Sequence, residues 1–383
     1  MKTYVLADKF FYADRTKGRG YLEIVEGKFG DYHTELPEED AEVIDYSGKW
    51  VAPGLVDTHI HGYGGKDVMD NDILGVVNTM SEGLLTCGVT SFLPTTLTAD
   101  HALLKEVAKG IGDHYKEATG AKIQGIYFEG PYFTEEHKGA QNPIYFNNPS
   151  VEEFHEWQEA AGGLISKIAL APERAGVEEF VKTVTDEGVV VALGHSNGTL
   201  EEATKAVDAG ASVWVHAYNG MRGLEHREPG MVGSVLSLGH TYAELICDGH
   251  HVHPTACGIL MDKVGHDHVA MITDCMRAGG MPDGHYTLGE FPVIVKEGTA
   301  RLESGNLAGS ILRLKEGIKN VVEWGLATPD EAVMMGSLIP AISCKIDDKC
   351  GKIKKGRAAD FIVLEPTMDL AATWLDGKVR YEA

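Results

Sequence analysis

Positive charge is scarce in this chain of 383 residues. Lysine and arginine together number 34, against 57 aspartates and glutamates, so the formal net charge at pH 7 is -23. Such an acidic chain repels nucleic acid and anionic membrane surfaces, so we expect neither as a partner. An anionic small molecule would have to be held by a few placed cationic side chains.

Paired cysteines and long hydrophobic runs are also missing. The six cysteines are scattered without a C-x-x-C spacing, which is typical of reduced thiols in a cytosolic protein. No window reaches the roughly 18 apolar residues of a membrane span, and the N-terminal stretch has no apolar signal core. We therefore expect a cytoplasmic protein.

The two ends of the chain differ from its middle. Short alternating segments at residues 4–7, 21–25 and 43–46 predict antiparallel strands. Near the C-terminus, residues 360–364 predict a strand and residues 373–381 a hairpin around Asp376-Gly377. We predict a small β-sandwich domain built from residues 1–50 and 352–383, flanking a catalytic domain of residues 51–351.

The middle alternates between apolar runs of strand length and helix-like stretches. Runs that are apolar throughout predict a parallel sheet covered by helices, and eight such strands close a (β/α)₈ (TIM) barrel of the α/β class. A long gap at residues 220–242, polar at first and rich in glycine, predicts a functional loop. The eight runs span residues 51–61, 88–96, 122–131, 167–172, 189–196, 211–219, 243–252 and 269–275.

His59 and His61 stand at the end of the first run. Successive residues of a strand point to opposite faces, so these two imidazoles project from the same side. A pair of histidines two apart is common in loops, and alone it predicts little. The pair predicts a metal site only if other strands bring further metal ligands to the same place.

Five of the eight runs end in a residue able to bind a metal ion. Each has an ordinary alternative, as a turn residue, a helix cap or a buried core histidine. The joint pattern favours a metal site, because ionisable groups are costly in a core unless paired or coordinated, and the carboxyl ends of barrel strands meet at one mouth. The residues are His59 and His61, Glu129, His195, His216 and Asp274.

The ligand types indicate the chemistry. Imidazoles and carboxylates without a thiolate fit Zn²⁺ or Fe²⁺. Such an ion lowers the pKa of bound water towards about 7. An adjacent aspartate can accept that water's proton and pass it to a leaving group. Asp274 is the candidate, since the last strand closes the ring beside the first, and the predicted reaction is hydrolysis.

The motifs at these strand ends resemble a known family. Residues 53–62 (PGLVDTHIHG) are similar to the opening signature of the amidohydrolase superfamily. Further segments resemble, in the same order, the N-acetylglucosamine-6-phosphate deacetylases of that superfamily, whose small sheet domain also matches the terminal β segments. These segments are residues 128–131 (FEGP), 194–197 (GHSN), 216–221 (HAYNGM), 227–230 (REPG), 248–252 (DGHHV), 273–274 (TD) and 307–310 (LAGS).

The resemblance implies different roles for the predicted metal ligands. Glu129, His195 and His216 would hold the main ion, and Asp274 would be the acid and base. His59 and His61 would hold a second ion, bridged by Glu129. Some members replace the His-x-His pair with amides and work with one ion. This chain keeps both histidines, so one or two ions per subunit are expected.

The resemblance also implies a substrate site and an assembly. The substrate would be a phosphorylated amino sugar, and the enzyme a homodimer. Arg227 suits phosphate because its guanidinium can bind two oxygens at once, although a surface ion pair with Glu225 or Glu228 is the alternative. The implied contacts are Asn219 and Gly220 with the sugar phosphate, Arg227 and His251 with phosphate and sugar hydroxyl, and Leu307, Ala308 and Gly309 with the sugar or acetyl group.

One departure from the family concerns the loop after the third strand. In some members a histidine there reaches the phosphate in a neighbouring subunit, and this chain has Ala140-Gln141 at that place. A contact across subunits would then be weaker or different. His137 and Lys138 lie close by in the sequence and are candidate substitutes.

The leading hypothesis is deacetylation of N-acetylglucosamine 6-phosphate to glucosamine 6-phosphate and acetate. A second is hydrolysis of a cyclic amide or deamination of a purine-like ring. It is disfavoured because cyclic-amide hydrolases often bridge their metals with a modified lysine, whereas the third strand here ends in Glu129. Another N-acyl amino sugar stays open as substrate. A non-catalytic regulatory protein is the third reading, although such chains lose metal ligands and every expected position is filled here.

Overall fold

The computed structural model describes residues 2–38 and 40–383. Its strands are, in chain order, β1 (Lys2–Phe11), β2 (Thr16–Lys17), β3 (Gly20–Val25), β4 (Lys28–His33), β5 (Glu42–Pro53), β6 (Leu55–Ile60), β7 (Gly62–Tyr63), β8 (Lys66–Asp67), β9 (Val89–Thr96), β10 (Lys122–Ile123), β11 (Ile126–Tyr132), β12 (Ile165–Leu170), β13 (Val190–Leu193), β14 (Val213–Trp214), β15 (Tyr242–Ile246), β16 (Val269–Ile272), β17 (Gly284–Leu288), β18 (Phe291–Lys296), β19 (Thr299–Leu302), β20 (Phe361–Leu364), β21 (Leu370–Leu375) and β22 (Lys378–Glu382).

Ten α-helices accompany these strands in the described residues. Several begin at the side-chain caps that their sequences offer, such as Asp100 before α2 and Thr199 before α5. None of the described helices is both long enough and apolar enough to cross a bilayer. The helices are α1 (Ile73–Leu85), α2 (His101–His114), α3 (Val151–Ala160), α4 (Val177–Asp186), α5 (Leu200–Asp208), α6 (Gly230–Ser237), α7 (Pro254–Val264), α8 (Leu314–Glu323), α9 (Pro329–Gly336) and α10 (Leu338–Ser343).

Eight parallel strands form the predicted barrel. The ladder runs β6, β9, β11, β12, β13, β14, β15 and β16, with the short β10 paired to β9. At the carboxyl ends the ring closes, since Asp274 N donates to His59 O over 2.9 Å and His61 N to Cys275 O over 2.8 Å. The prediction of a (β/α)₈ barrel is confirmed.

The barrel strands are buried on both faces, which explains why their sequences are apolar throughout. Every residue of β6, β9 and β11 is buried. One face fills the barrel and the other packs on the surrounding helices. Charged side chains therefore appear along these strands only where another group compensates them.

The two chain ends combine in one eight-stranded sheet, as predicted for a small β domain. Its order is β22, β21, β20, β5, β1, β3 and β4, with β2 paired to β1. Phe10, Leu22, Phe361 and Trp374 lie in its separate apolar core. The domain boundary at residue 50 stays a prediction, because β5 continues without interruption to Pro53.

A small antiparallel sheet after the last barrel strand was not predicted. Strands β17, β18 and β19 pair in sequence order. The alternating burial of β18 gives it one buried and one exposed face. Arg301 of β19 and four residues of the loop that follows this strand help to enclose a cavity at the barrel mouth: Gly305, Asn306, Leu307 and Gly309.

Candidate metal centre at the barrel mouth

The six predicted metal ligands meet at the carboxyl ends of the strands. They fall into two groups whose ligand atoms lie within 4.8 Å of one another: His59, His61 and Asp274 in one, and Glu129, His195 and His216 in the other. All six are buried, and Asp274, at 8% exposure, is the most accessible. Residues that are 215 positions apart in the sequence thus share one small volume.

Glu129 links the two groups. Its Oε1 lies 3.2 Å from both His195 Nε2 and His216 Nε2. The same carboxylate places Oε2 3.2 Å from His61 Nε2, which in turn is 3.1 Å from Asp274 Oδ1. A carboxylate with one oxygen towards each group has the arrangement of a bridging ligand.

Hydrogen bonds on the outer side of the four imidazoles fix their orientation. The Nδ1–H of His61 donates to Thr95 O over 3.0 Å, that of His195 to His137 O over 2.8 Å, and that of His216 to Asn219 O over 3.0 Å. Backbone carbonyls only accept, so these rings carry their proton on Nδ1 and turn the Nε2 lone pair inwards. His59 donates instead to the carboxylate of Glu244, over 3.0 Å.

The donor set fits a divalent cation. The Nε2 atoms of His195 and His216 are 3.1 Å apart, and those of His59 and His61 are 3.3 Å apart. Lone pairs that face each other at such distances repel unless a positive charge lies between them. Zinc and iron sites in proteins use imidazole nitrogens and carboxylates as ligands. The outer nitrogen of each imidazole in such sites is held by a hydrogen bond.

The electrostatics of the cluster agree with this conclusion. Burial opposes charge on every member, but Glu129 and Asp274 attract protons to the imidazoles and raise the pKa of His59 to about 9. In the same way, burial is outweighed by His59 and His61, which lower the pKa of Asp274 to about 2. The carboxylates are thus ionised at neutral pH, and protons compete with a metal ion for the imidazole nitrogens.

Backbone strain accompanies three of the ligands. His195 (φ 46°), His216 (φ 28°) and Asp274 (φ 50°) are all in the left-handed region, each just after a barrel strand. That conformation costs about 1–3 kcal/mol for a residue other than glycine. The chain turns sharply there, and the ligand side chains are aimed into the mouth.

Sequence reasoning missed three buried charged residues beneath the ligands. Lys167 and Glu244 are fully buried and form an ion pair. Burial would raise the pKa of Glu244, but Lys167 and His59 lower it to about 2. Asp57 accepts from Thr273 Oγ1 over 2.6 Å, and burial raises its pKa to about 6. The available signal was a charge inside an otherwise apolar strand run.

A cavity of about 440 Å³ is lined by five of the six predicted metal ligands, all except His59. Of the residues predicted to contact substrate, Ala140, Gln141, Asn219, Gly220, His251, Leu307 and Gly309 line it.

Two predicted substrate contacts lie elsewhere, and six lining residues, Arg301 among them, were not predicted. Ala308 is fully buried in the core beside the small β17–β19 sheet. Arg227 is exposed on the loop before α6, outside the described lining of the cavity. Among the described lining residues, Arg301 alone is a lysine or arginine, and its guanidinium donates to Gly305 O over 2.8 Å.

Gln141 and His251 are each held by a buried or half-buried partner. Gln141 Nε2 donates to Glu129 Oε2 over 2.6 Å, while its Oε1 accepts from Thr98 N over 2.8 Å. Gln141 thus orients the linking carboxylate. His251 Nδ1 lies 2.6 Å from Asp248 Oδ2. Although burial opposes it, the hydrogen bond with Asp248 raises the pKa of His251, which favours a cationic imidazolium at the cavity wall.

Comparison with known proteins gives consistent results. A family model described as amidohydrolase family matches residues 50–380. An N-acetylglucosamine-6-phosphate deacetylase of Vibrio furnissii is 40% identical over 95% of this chain and 89% of its own length. An N-acetylgalactosamine-6-phosphate deacetylase of Escherichia coli O157:H7 is 39% identical over 90% of this chain and 89% of its own.

Solved structures agree in fold over the whole chain. One is an aspartate-to-alanine variant of N-acetyl-D-glucosamine-6-phosphate deacetylase from Mycobacterium smegmatis in complex with N-acetyl-D-glucosamine-6-phosphate. It is 27% identical, with a TM-score of 0.92, and 99% of each chain is covered. The N-acetylglucosamine-6-phosphate deacetylase of Thermotoga maritima is 31% identical over 100% of both chains, with a TM-score of 0.88.

Proposed function

The chain belongs to the amidohydrolase family, and from that premise we propose that it hydrolyses N-acetyl-D-glucosamine 6-phosphate to D-glucosamine 6-phosphate and acetate. The observation that carries the proposal is the meeting of the two ligand groups beneath one cavity, with Asp274 among the residues that line it. Relatives with that activity match nearly the whole chain.

The metal ion is divalent, and we propose Zn²⁺ or Fe²⁺ on the basis of its nitrogen and carboxylate ligands. Glu129, His195 and His216 would hold one ion, and His59, His61 and Asp274 a second. When bound, such an ion polarises the amide carbonyl and makes a water molecule acidic enough to react at neutral pH.

Asp274 is the proposed acid and base. It lines the cavity, is ionised at neutral pH, and its backbone is fixed by hydrogen bonds of its own N and O to His59 O and Ser310 N. It would accept a proton from the attacking water and donate that proton to the departing amine nitrogen. The atoms balance, since water supplies the acetate oxygen and both protons.

His251 and the loop carrying Asn219 and Gly220 are the proposed phosphate and sugar contacts. All three line the cavity, and the imidazolium of His251 is favoured by Asp248. Arg301 supplies a guanidinium to the lining of the same cavity. Arg227, the phosphate contact expected from the resemblance, lies outside this lining, so its role stays a separate proposal.

N-acetyl-D-galactosamine 6-phosphate is the second candidate substrate. A relative that acts on it is as similar to this chain, at 39% identity, as the N-acetylglucosamine-6-phosphate deacetylase at 40%. The two sugars differ in the configuration at a single carbon. A single contact with the hydroxyl group at that carbon can determine which sugar is bound, whereas overall sequence identity does not distinguish the two.

A substrate panel tests reaction, phosphate requirement and epimer preference together. The purified protein is stripped of metal and assayed for acetate release, with and without added Zn²⁺ or Fe²⁺. The substrates are both N-acetylhexosamine 6-phosphates and unphosphorylated N-acetylglucosamine. We expect metal-dependent release that is fastest with N-acetylglucosamine 6-phosphate. Faster release from the galactosamine epimer would favour the second candidate, and no release from either sugar phosphate would reject the proposal.

We further propose a cytoplasmic homodimer. All six cysteines are free and buried, which suits a reducing compartment. Ile144, at 74% exposure, and Leu224, at 61%, are large exposed apolar side chains in the segments that follow barrel strands β11 and β14, and we propose that a second copy covers them. Light scattering on the eluting protein measures the assembly directly, and a monomer at micromolar concentration would reject this part.

A further inference from the structure

We propose that Lys167 and Glu244 are positioning residues that hold His59 in the form that binds metal, and that they thereby decide whether the chain holds one ion or two. The inference rests on the metal-dependent function proposed above. It concerns two side chains that lie beneath the ligands and that line no part of the cavity described here.

The pair is built into the interior of the barrel. Lys167 lies on β12 and Glu244 on β15, and both side chains are 0% exposed. Glu244 Oε1 accepts from Lys167 Nζ, and Glu244 Oε2 lies 3.0 Å from His59 Nδ1. The ammonium also stands 3.9 Å from the centre of the Tyr127 ring.

Stability alone does not account for such a pair. Replacing a buried ion pair with apolar residues of similar volume is often neutral or stabilising, because desolvation offsets the attraction between the charges. The position of the pair at the base of the ligand cluster points to another role. The contact of the pair with His59 supplies that role.

His59 differs from the other three imidazoles in what holds it. His61, His195 and His216 each donate from Nδ1 to a backbone carbonyl, which no side-chain substitution removes. His59 donates to a side-chain carboxylate. Glu244 thus keeps the proton of His59 on Nδ1 and its lone pair on Nε2, facing the group of His61 and Asp274.

Lys167 has the complementary task. Lys167 Nζ donates to Oε1 of Glu244, which leaves Oε2 as the oxygen that accepts from His59. Lys167 also balances the negative charge, which would otherwise stand uncompensated in the barrel. Glu244 Oε2 accepts a weaker bond from His216 N over 3.3 Å, but the ring of His216 is oriented separately by Asn219 O. Loss of the pair should therefore affect the His59 group selectively.

Two double variants separate the hydrogen bond from the charges. Lys167→Met with Glu244→Gln removes both charges and keeps an oxygen that accepts from His59. Lys167→Met with Glu244→Met removes the acceptor as well. Zinc content per chain is measured by elemental analysis after equilibration at buffered free Zn²⁺, and affinities are measured by competition with a chelator.

We expect two ions per chain in the wild type and in the Gln variant. In the Met variant we expect the second ion to bind about 10- to 100-fold more weakly, the usual effect of losing an outer partner of a metal ligand, while the first ion is retained. Lys122→Met with Asp360→Asn serves as a control, since it removes a different ion pair, one that is only partly buried and lies away from the predicted ligands. Melting of each metal-free variant establishes that it folds.

The inference would be overturned by wild-type affinity for both ions in the Met variant, or by a single ion in the saturated wild type. Equally weaker binding of both ions in the Met variant would also reject it, because Lys167 and Glu244 would then support the whole cluster rather than His59 in particular. None of these measurements uses a sugar. Failure of the substrate panel alongside the expected metal counts would therefore reject the proposed reaction and leave this inference standing.

Discussion

Replacing Asp274 with Asn should reduce turnover by roughly two to four powers of ten while the protein still binds metal. Asp274 Oδ1 lies 3.1 Å from His61 Nε2 and 3.5 Å from His59 Nε2, and the residue lines the cavity. Asn keeps the shape and one ligand oxygen, but it neither accepts nor returns a proton at neutral pH. General acid–base catalysis typically contributes about 10²–10⁴-fold, or roughly 3–5 kcal/mol of activation free energy.

The assay is kcat for acetate release, measured at saturating metal and paired with elemental analysis of the same sample. Since the loss concerns proton transfer, kcat should fall while KM changes little. Asp113→Asn, a substitution on the exposed face of α2, is a matched control that should leave both unchanged. Near wild-type turnover in Asp274→Asn with metal bound would refute the assignment of the acid and base.

Four further predictions concern the surrounding residues. His251→Gln should raise KM for the phosphorylated sugar about 10-fold with little effect on unphosphorylated N-acetylglucosamine, as expected when one charge-assisted contact is lost; equal effects on both sugars would remove His251 from the phosphate. If one chain builds the whole site, Arg301→Gln should raise the same KM and Arg227→Gln should not; steady-state kinetics decide, and the opposite result would assign the phosphate to Arg227. Gln141→Ala should lower the free energy of unfolding by about 2 kcal/mol, because it removes a bond to a charged carboxylate and leaves a buried N–H unpaired; an unchanged denaturation midpoint would contradict this. Metal affinity should rise with pH up to about 9, since the proton that His59 holds below its raised pKa must leave before metal binds; chelator competition at several pH values would show a flat profile if that proton were absent.

The sequence predicted the barrel and the ligand cluster because both depend on local signals. An apolar run that ends in His195 or Asp274 is readable without knowing the partners, and the geometry of a parallel barrel then brings all strand ends together. The structure places all six predicted ligands in the two groups. Their roles as ligands stay a proposal.

The remaining parts depend on distances across the barrel. Lys167 and Glu244 are 77 positions apart on strands that are not neighbours in the ladder, so their pairing follows from the stagger of the strands. A single sequence does not reveal that stagger. Arg301 reaches the cavity only because an unpredicted sheet folds over the mouth. The path of the loop that carries Arg227 is set by its packing. Such packing leaves no periodic pattern in the sequence, so the position of Arg227 could not be predicted.

The outer contacts of the predicted ligands differ between the two groups. His195 and His216 are held by backbone carbonyls, and Glu129 by the amide of Gln141, whose own carbonyl is bound by Thr98 N. In the other group, His61 is also held by a backbone carbonyl, but His59 depends on a buried carboxylate that is balanced by a buried ammonium. A single substitution can disturb that arrangement without disturbing the other group. His59 is therefore the predicted ligand that a substitution can disturb independently, and we expect such a substitution to weaken metal binding at His59, His61 and Asp274 before it affects Glu129, His195 and His216.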